Sequence, residues 1–194
     1  MKKDTIDLIR SFIAIELLSS TQNLLTDIRK KVEDRQNIIK WAKPESIHLT
    51  LKFLGAVSQK QIDKVEEKLT EVAGSVKQFR FTIKGIGVFE NFRFPRIIWV
   101  EIDEGKEEIM SLAHSIETAC HLLGFKKEKR AFIPHITIAR IKKIQNKETF
   151  KENVLCLRET FFAQEKVTML SLMKSDLTPI GAVHTPIKHC MLLP

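Results

Sequence analysis

"PHITIAR", residues 134–140, decides how this chain is read, because "IHLTLKF", residues 47–53, nearly repeats it. Each stretch sets a histidine and a threonine two positions apart among apolar residues, and His48 and His135 stand 87 positions apart in a chain of 194. Residues two apart on a β-strand share a face, about 7 Å from each other along the chain. Strict alternation predicts Ile47, Leu49, Leu51 and Phe53 on one face of the first strand and His48, Thr50 and Lys52 on the other. In the second, Ile136 and Ile138 point inward, against His135, Thr137 and Ala139.

The flanks repeat as well. "SFIAIEL" (11–17) reads as a buried strand, followed by a helix with Leu24, Leu25, Ile28 and Val32 at helical spacing. "RIIWVEI" (96–102) is the matching strand, and Ile109, Leu112, Ala113, Ile116, Cys120 and Leu123 form the matching helical stripe, which Gly124 can end. From Ile13 to His48 is 35 residues and from Ile98 to His135 is 37, so strand, helix and histidine strand recur at one pitch. Ser58 and Gln61 form a capping box ahead of a helix with Ile62, Val65, Leu69 and Val72 on its inner face. "FRFTIKGIGVF" (79–89) and "KVTMLSLMKS" (166–175) supply further strands. The expectation is an α+β fold of two related lobes with antiparallel sheets, in one domain spanning 1–194.

Composition bounds the rest. Apolar content of 43% with 29% charged residues is that of a globular protein, and no segment approaches a membrane span. The N-terminus is interrupted by Asp4, Asp7 and Arg10 and does not read as a cleaved signal peptide. Cys120, Cys156 and Cys190 have no metal-ligand spacing and read as free thiols, which places the chain in a reducing cytoplasm. The net charge of +8 fits a polyanionic partner. "KKEKR" (126–130) precedes the second histidine motif, and Arg140, Lys142 and Lys143 follow His135, so a basic rim is expected on both flanks of a site.

Two imidazoles and two hydroxyls facing one cleft suit displacement at phosphorus. One histidine can accept the proton of an entering hydroxyl while the other protonates the leaving oxygen, and threonine hydroxyls with an arginine can hold the phosphate oxygens. Other chemistries find less support. Zinc on His48 and His135 lacks a third ligand in either motif, and no G-x-S-x-G nucleophile motif occurs. "GIGVFE" (85–90) lacks the third glycine of a dinucleotide fingerprint and reads as a turn. His114 and His121 lie seven apart on one helix and face solvent or pack; His184, His189 and Cys190 read as strand-end residues.

With "HLTL" (48–51) and "HITI" (135–138), the chain resembles the two-histidine phosphoesterases, and within them the RNA 2′,3′-cyclic phosphodiesterases, also called 2′-5′ RNA ligases. "FIAIEL", "IKWAKPESIHLTLKFLG", "GIGVFENFRFPRIIWVEI", "GFKKEKRAFIPHITIAR" and "SDLTPIGAVH" extend the likeness over nearly the whole length. The resemblance implies a bilobal fold whose pseudo-symmetric, interleaved lobes flank a central groove. It implies hydrolysis of a terminal 2′,3′-cyclic phosphate of RNA, tRNA fragments included, to a 2′-phosphate, with 2′-5′ ligation as the reverse reaction, and no metal or cofactor. By position, His48 would protonate the leaving oxygen and His135 would activate water. Thr50, Thr137 and Arg140 would hold the phosphate, with Phe12 and Arg130 as further substrate contacts. A monomer without a membrane partner is expected. The chain departs from the family pattern in having no tyrosine, in His184 where an aromatic is common, and in Ile133 where relatives are often polar. Two rival readings stay open: a phosphodiesterase of small cyclic or 2′-5′-linked nucleotides, and a non-catalytic RNA-binding module.

Overall fold

The structure is a computed structural model and describes residues 7–33, 37–179 and 181–194. Asp4, part of the N-terminal reading, lies outside them. The chain runs β1 (Ile9–Glu16), α1 (Ser19–Asp27), α2 (Arg29–Val32), β2 (Ile38–Trp41), a single 3-10 turn (Pro44–Ser46), β3 (His48–Val57), α3 (Gln59–Ala73) and β4 (Phe79–Phe89). It continues through β5 (Ile97–Ile102), α4 (Lys106–Leu122), β6 (His135–Lys143), α5 (Lys147–Cys156), β7 (Phe161–Val167), β8 (Met169–Thr178) and β9 (Gly181–Met191).

The strands form one antiparallel sheet in the order β7-β4-β5-β6-β3-β1-β8-β9, with β2 on β6. The order is symmetric about its centre: the two histidine strands β6 and β3 meet there, flanked by their partners β5 and β1, then β4 and β8. Each side takes strands from both halves of the chain, because β4 crosses to β5 and β8 crosses back to β1. The two sides touch through one register pair, Leu49↔Ile136. The two sheets expected from sequence are therefore halves of a single sheet that nearly parts at its middle. α3 and α4 pack on each other and on the β3, β8 and β9 side, while α5 and α1 pack against β4 and β7. Ile13, Ile15, Leu49, Ile136, Ile98 and Val100 meet the buried helix stripes, Ile62, Val65 and Leu69 from α3 and Ile109, Leu112 and Ile116 from α4, in one core. That leaves the opposite sheet face free for a site.

Local signals behave as their chemistry requires. The Ser58–Gln61 capping box starts α3, and Gly124, at φ 90°, follows α4. On α1 and α2, Leu25, Ile28 and Val32 are buried whereas Leu24 is exposed. The stretch read as a turn, "GIGVF", is the end of β4, with Gly85 at φ 78° inside the strand and Glu90 at φ 64° just after it. Gly87 is a glycine there for a packing reason, since a Cβ would stand 2.8 Å from Cζ2 of Trp99.

The main departure from strict alternation is a bulge that occurs twice. Opposite β1 the register steps from Thr50↔Ala14 to Lys52↔Ile13, and opposite β5 from Thr137↔Trp99 to Ala139↔Ile98. Each histidine strand thus carries one extra residue, Leu51 or Ile138, directly after its threonine. A bulge reverses the faces beyond it. Lys52, expected to face outward, is only 3% exposed, and its Nζ lies 2.7 Å from Glu117 Oε2 and 3.3 Å from the Lys126 carbonyl oxygen. Phe53, expected inside, is 62% exposed. Ala139, expected beside His135 and Thr137, is buried.

Candidate active site

His48, Thr50, His135, Thr137 and Arg140 line one cavity of about 430 Å³, a size suited to a small ligand such as a nucleotide. Counting one position either way from Leu49↔Ile136 sets His48 across from Thr137 and Thr50 across from His135. The four motif residues therefore form the mirrored square that the repeated motifs suggested.

Each imidazole is fixed in the same way. The carbonyl oxygen of the residue two before it accepts a hydrogen bond from Nδ1: Ser46 to His48 at 2.9 Å, and Ile133 to His135 at 2.7 Å. That contact places the proton of the neutral ring on Nδ1 and leaves Nε2 for chemistry. His48 Nε2 accepts from the Thr50 hydroxyl at 3.0 Å. Aromatic rings hold both imidazoles. Phe12 stacks on His48 with centroids 4.7 Å apart, and His184 meets His48 edge-on at 5.2 Å. On the other side, Phe89 stacks on Trp99, and His135 stands edge-on to Phe89 at 4.7 Å.

Burial favours the neutral rings. It pushes His48 down to about 4, helped by the neighbouring His184 and opposed by the Ser46 carbonyl. Burial also lowers His135, with the Ile133 carbonyl opposing, and lowers His184. Both motif histidines thus await an anion that would stabilise their charged forms.

Several expectations need correcting. Phe12 lines the cavity but is 3% exposed, its ring engaged with His48 and His184, so it supports the imidazole and has no face free for a base. Arg130 lies on an exposed loop outside the cavity lining. The Lys126–Arg130 segment is tied instead toward α4, where Glu117 accepts from the Glu128 amide and Lys52 donates to the Lys126 carbonyl. The cations that do line the cavity are Arg10, Lys40, Lys43 and Arg140, and among the described residues no carboxylate joins them. Lys40 and Lys43 come from β2 and the turn after it, which pair with β6 next to Arg140. Only a predicted pairing of β2 with β6 would have found them. His184, read as a strand-end residue, lines the cavity. Buried side-chain atoms without a hydrogen-bond partner among the described residues include Ser11 Oγ, Trp41 Nε1 and His184 Nδ1, all from cavity-lining residues.

A curled antiparallel sheet with flanking helices and two His-x-Thr strands meeting at its centre defines a two-histidine phosphoesterase. The chain belongs to the LigT like Phosphoesterase family, whose model matches it twice, over residues 15–99 and 100–184. That double match is the repeat seen in the sequence and in the strand order. The chain is 31% identical over 185 residues to the RNA 2′,3′-cyclic phosphodiesterase of Aquifex aeolicus (strain VF5), covering 95% of this chain and 97% of that one. It is 33% identical over 184 residues to the enzyme of the same name from Methanocaldococcus jannaschii, covering 93% and 99%. Among solved structures, TT0787 of Thermus thermophilus superposes with a TM-score of 0.80 at 25% identity over 95% of this chain and 98% of its own. E. coli LigT complexed with 3′-AMP shares the fold, with a TM-score of 0.77 at 21% identity over 96% and 99%.

Proposed function

We propose that this protein hydrolyses the 2′,3′-cyclic phosphate at RNA ends to a 2′-phosphate, without a metal, by paired-histidine acid–base catalysis. The observation that carries this reading is the pair of imidazoles, each with Nδ1 committed to a carbonyl, meeting in a cavity whose charged lining is cationic. The relatives named RNA 2′,3′-cyclic phosphodiesterase support the substrate class. The phosphate sits between the motifs, with Thr50, Thr137 and Arg140 on its non-bridging oxygens. His135 Nε2 takes a proton from water as the water oxygen bonds to phosphorus. The P–O3′ bond breaks, and His48 Nε2 gives its proton to O3′. The phosphate charge restores to His48 the proton that burial disfavours. A following exchange with solvent resets both rings.

The test is incubation of the pure protein, in EDTA, with an oligonucleotide ending in a 2′,3′-cyclic phosphate. A 2′-phosphate product is expected. General acid–base groups contribute about 10²–10⁴-fold, so His48→Ala and His135→Ala should each lose at least about 100-fold with the fold retained. Near-wild-type turnover in either variant would sink the paired mechanism.

A further inference from the structure

Of the cations that line the cavity, three stand on one side of it. Arg140 lies on β6, Lys40 faces it from β2, and Lys43 follows β2. Arg10 comes from β1, on the other side of the β3–β6 junction. A cyclic phosphodiester carries a single negative charge, and Arg140 with the two threonines is enough to meet it. Arg10 is left without a role in that reaction.

Its place and surroundings suggest one. Arg10 shares the strand face of Phe12, two positions and about 7 Å along β1. The Phe12 ring in turn reaches His48, with centroids 4.7 Å apart. Arg10 therefore stands beyond the Phe12–His48 stack, at a remove of the order that separates neighbouring phosphates in an RNA strand. Across from it on β3 is Ala56, with Gly55 beside that, and both are exposed. Gly55 lines the cavity, and nothing lies within 4 Å of where its Cβ would be. On β8 the carboxylate of Asp176 is taken by Lys174 at 3.1 Å. No ion pair among the described residues involves Arg10. An exposed arginine needs no partner, but one that lines a cavity without carboxylates raises the potential there for an anion. Its planar fork matches the oxygens of a phosphate.

We propose that Arg10 binds a second phosphate, the one on the 5′ side of the terminal nucleotide, so that the cavity reads two consecutive phosphates of an RNA end. The inference rests on the reading that the cyclic phosphate sits between His48 and His135. A nucleoside 2′,3′-cyclic phosphate lacks the second group and a strand end carries it. Arg10 thus selects strand ends over free cyclic nucleotides.

The experiment measures turnover of a 2′,3′-cyclic mononucleotide and of a dinucleotide with the same cyclic end, and binding of their 2′-phosphate products by calorimetry. In wild type the dinucleotide should be favoured in kcat/KM by about 10–100-fold, the worth of hydrogen bonds to a charged group, with the gain in KM. Arg10→Ala should bring that ratio close to one. Arg10→Lys should keep only part of it, since lysine meets a phosphate as a point charge. Lys40→Ala, on the opposite wall, should lower both substrates alike and preserve the ratio. A cyclic mononucleotide carrying a 5′-phosphate should gain as the dinucleotide does; a gain confined to the dinucleotide overturns the proposal. So does an unaltered ratio in Arg10→Ala, or an equal loss of it in Lys40→Ala. If turnover is absent but the dinucleotide product binds more tightly and Arg10→Ala abolishes that advantage, Arg10 keeps its role and the hydrolytic reading falls.

Discussion

At the scale of single residues, the two motif histidines share a fixed tautomer but not an environment. His48 stacks on Phe12 and faces His184, whereas His135 stands edge-on to Phe89 and Trp99. The near-symmetry of the motifs leaves acid and base unassigned from the residues alone; the proposed assignment, His48 to the leaving oxygen, rests on the family resemblance and is open to test. A poor leaving group needs that proton and a good one does not. On a nitrophenyl phosphodiester, His48→Ala should therefore recover more of its lost activity than His135→Ala, since water must be deprotonated whichever group leaves. Initial rates on both substrates, with product analysis on true RNA ends, check this. Preferential rescue of His135→Ala would exchange the two roles and leave the paired mechanism standing.

At the scale of elements, β2 matters more than its four residues suggest. Its pairing with β6 brings Lys40 into the cavity beside Arg140, and the turn that follows adds Lys43. The loop holding Lys126, Lys127 and Lys129 is anchored toward α4 through Lys52 and Glu117. Single-stranded RNA binding should lose about 0.7 in the slope of log affinity against log salt for each phosphate contact removed. Changing Lys40 and Lys43 together to Ala should flatten the slope and weaken a cyclic mononucleotide as well, because both line the cavity. Changing Lys126, Lys127 and Lys129 should leave the mononucleotide untouched. Fluorescence titrations at several salt concentrations separate the two sets, and a loss of mononucleotide binding confined to the loop variant would redraw the RNA path.

At the scale of the whole molecule, the buried site ties stability to pH. His48 titrates at about 4 in the folded protein against an ordinary 6.5. As pH falls through about 6.5, the unfolded chain takes up a proton that the folded one refuses, so stability drops until the folded ring also protonates near 4. Above about 6.5 both states are neutral and the term vanishes. Thermal melts should therefore show wild type losing more stability between pH 7 and pH 5 than His48→Gln. Equal losses in the two proteins would mean that His48 is not held neutral by the fold.

Much of this was legible in the chain. Apolar spacing located the strands and helices, the capping box and Gly124 marked helix ends, and the doubled His-x-Thr pattern named four of the side chains that line the cavity, because these features depend on neighbours a few positions away. What lay beyond the sequence depended on register between strands. The bulges after Thr50 and Thr137 come from how β3 lies on β1 and β6 on β5, and they bury Lys52 while turning Phe53 and Arg140 to the cavity. Likewise, Lys40 and Lys43 reach the lining because β2 pairs with β6, and His184 because β9 pairs with β8. A side chain's face is local information only while alternation holds. One inserted residue in a paired strand reverses it, and only the packed sheet decides where that residue goes.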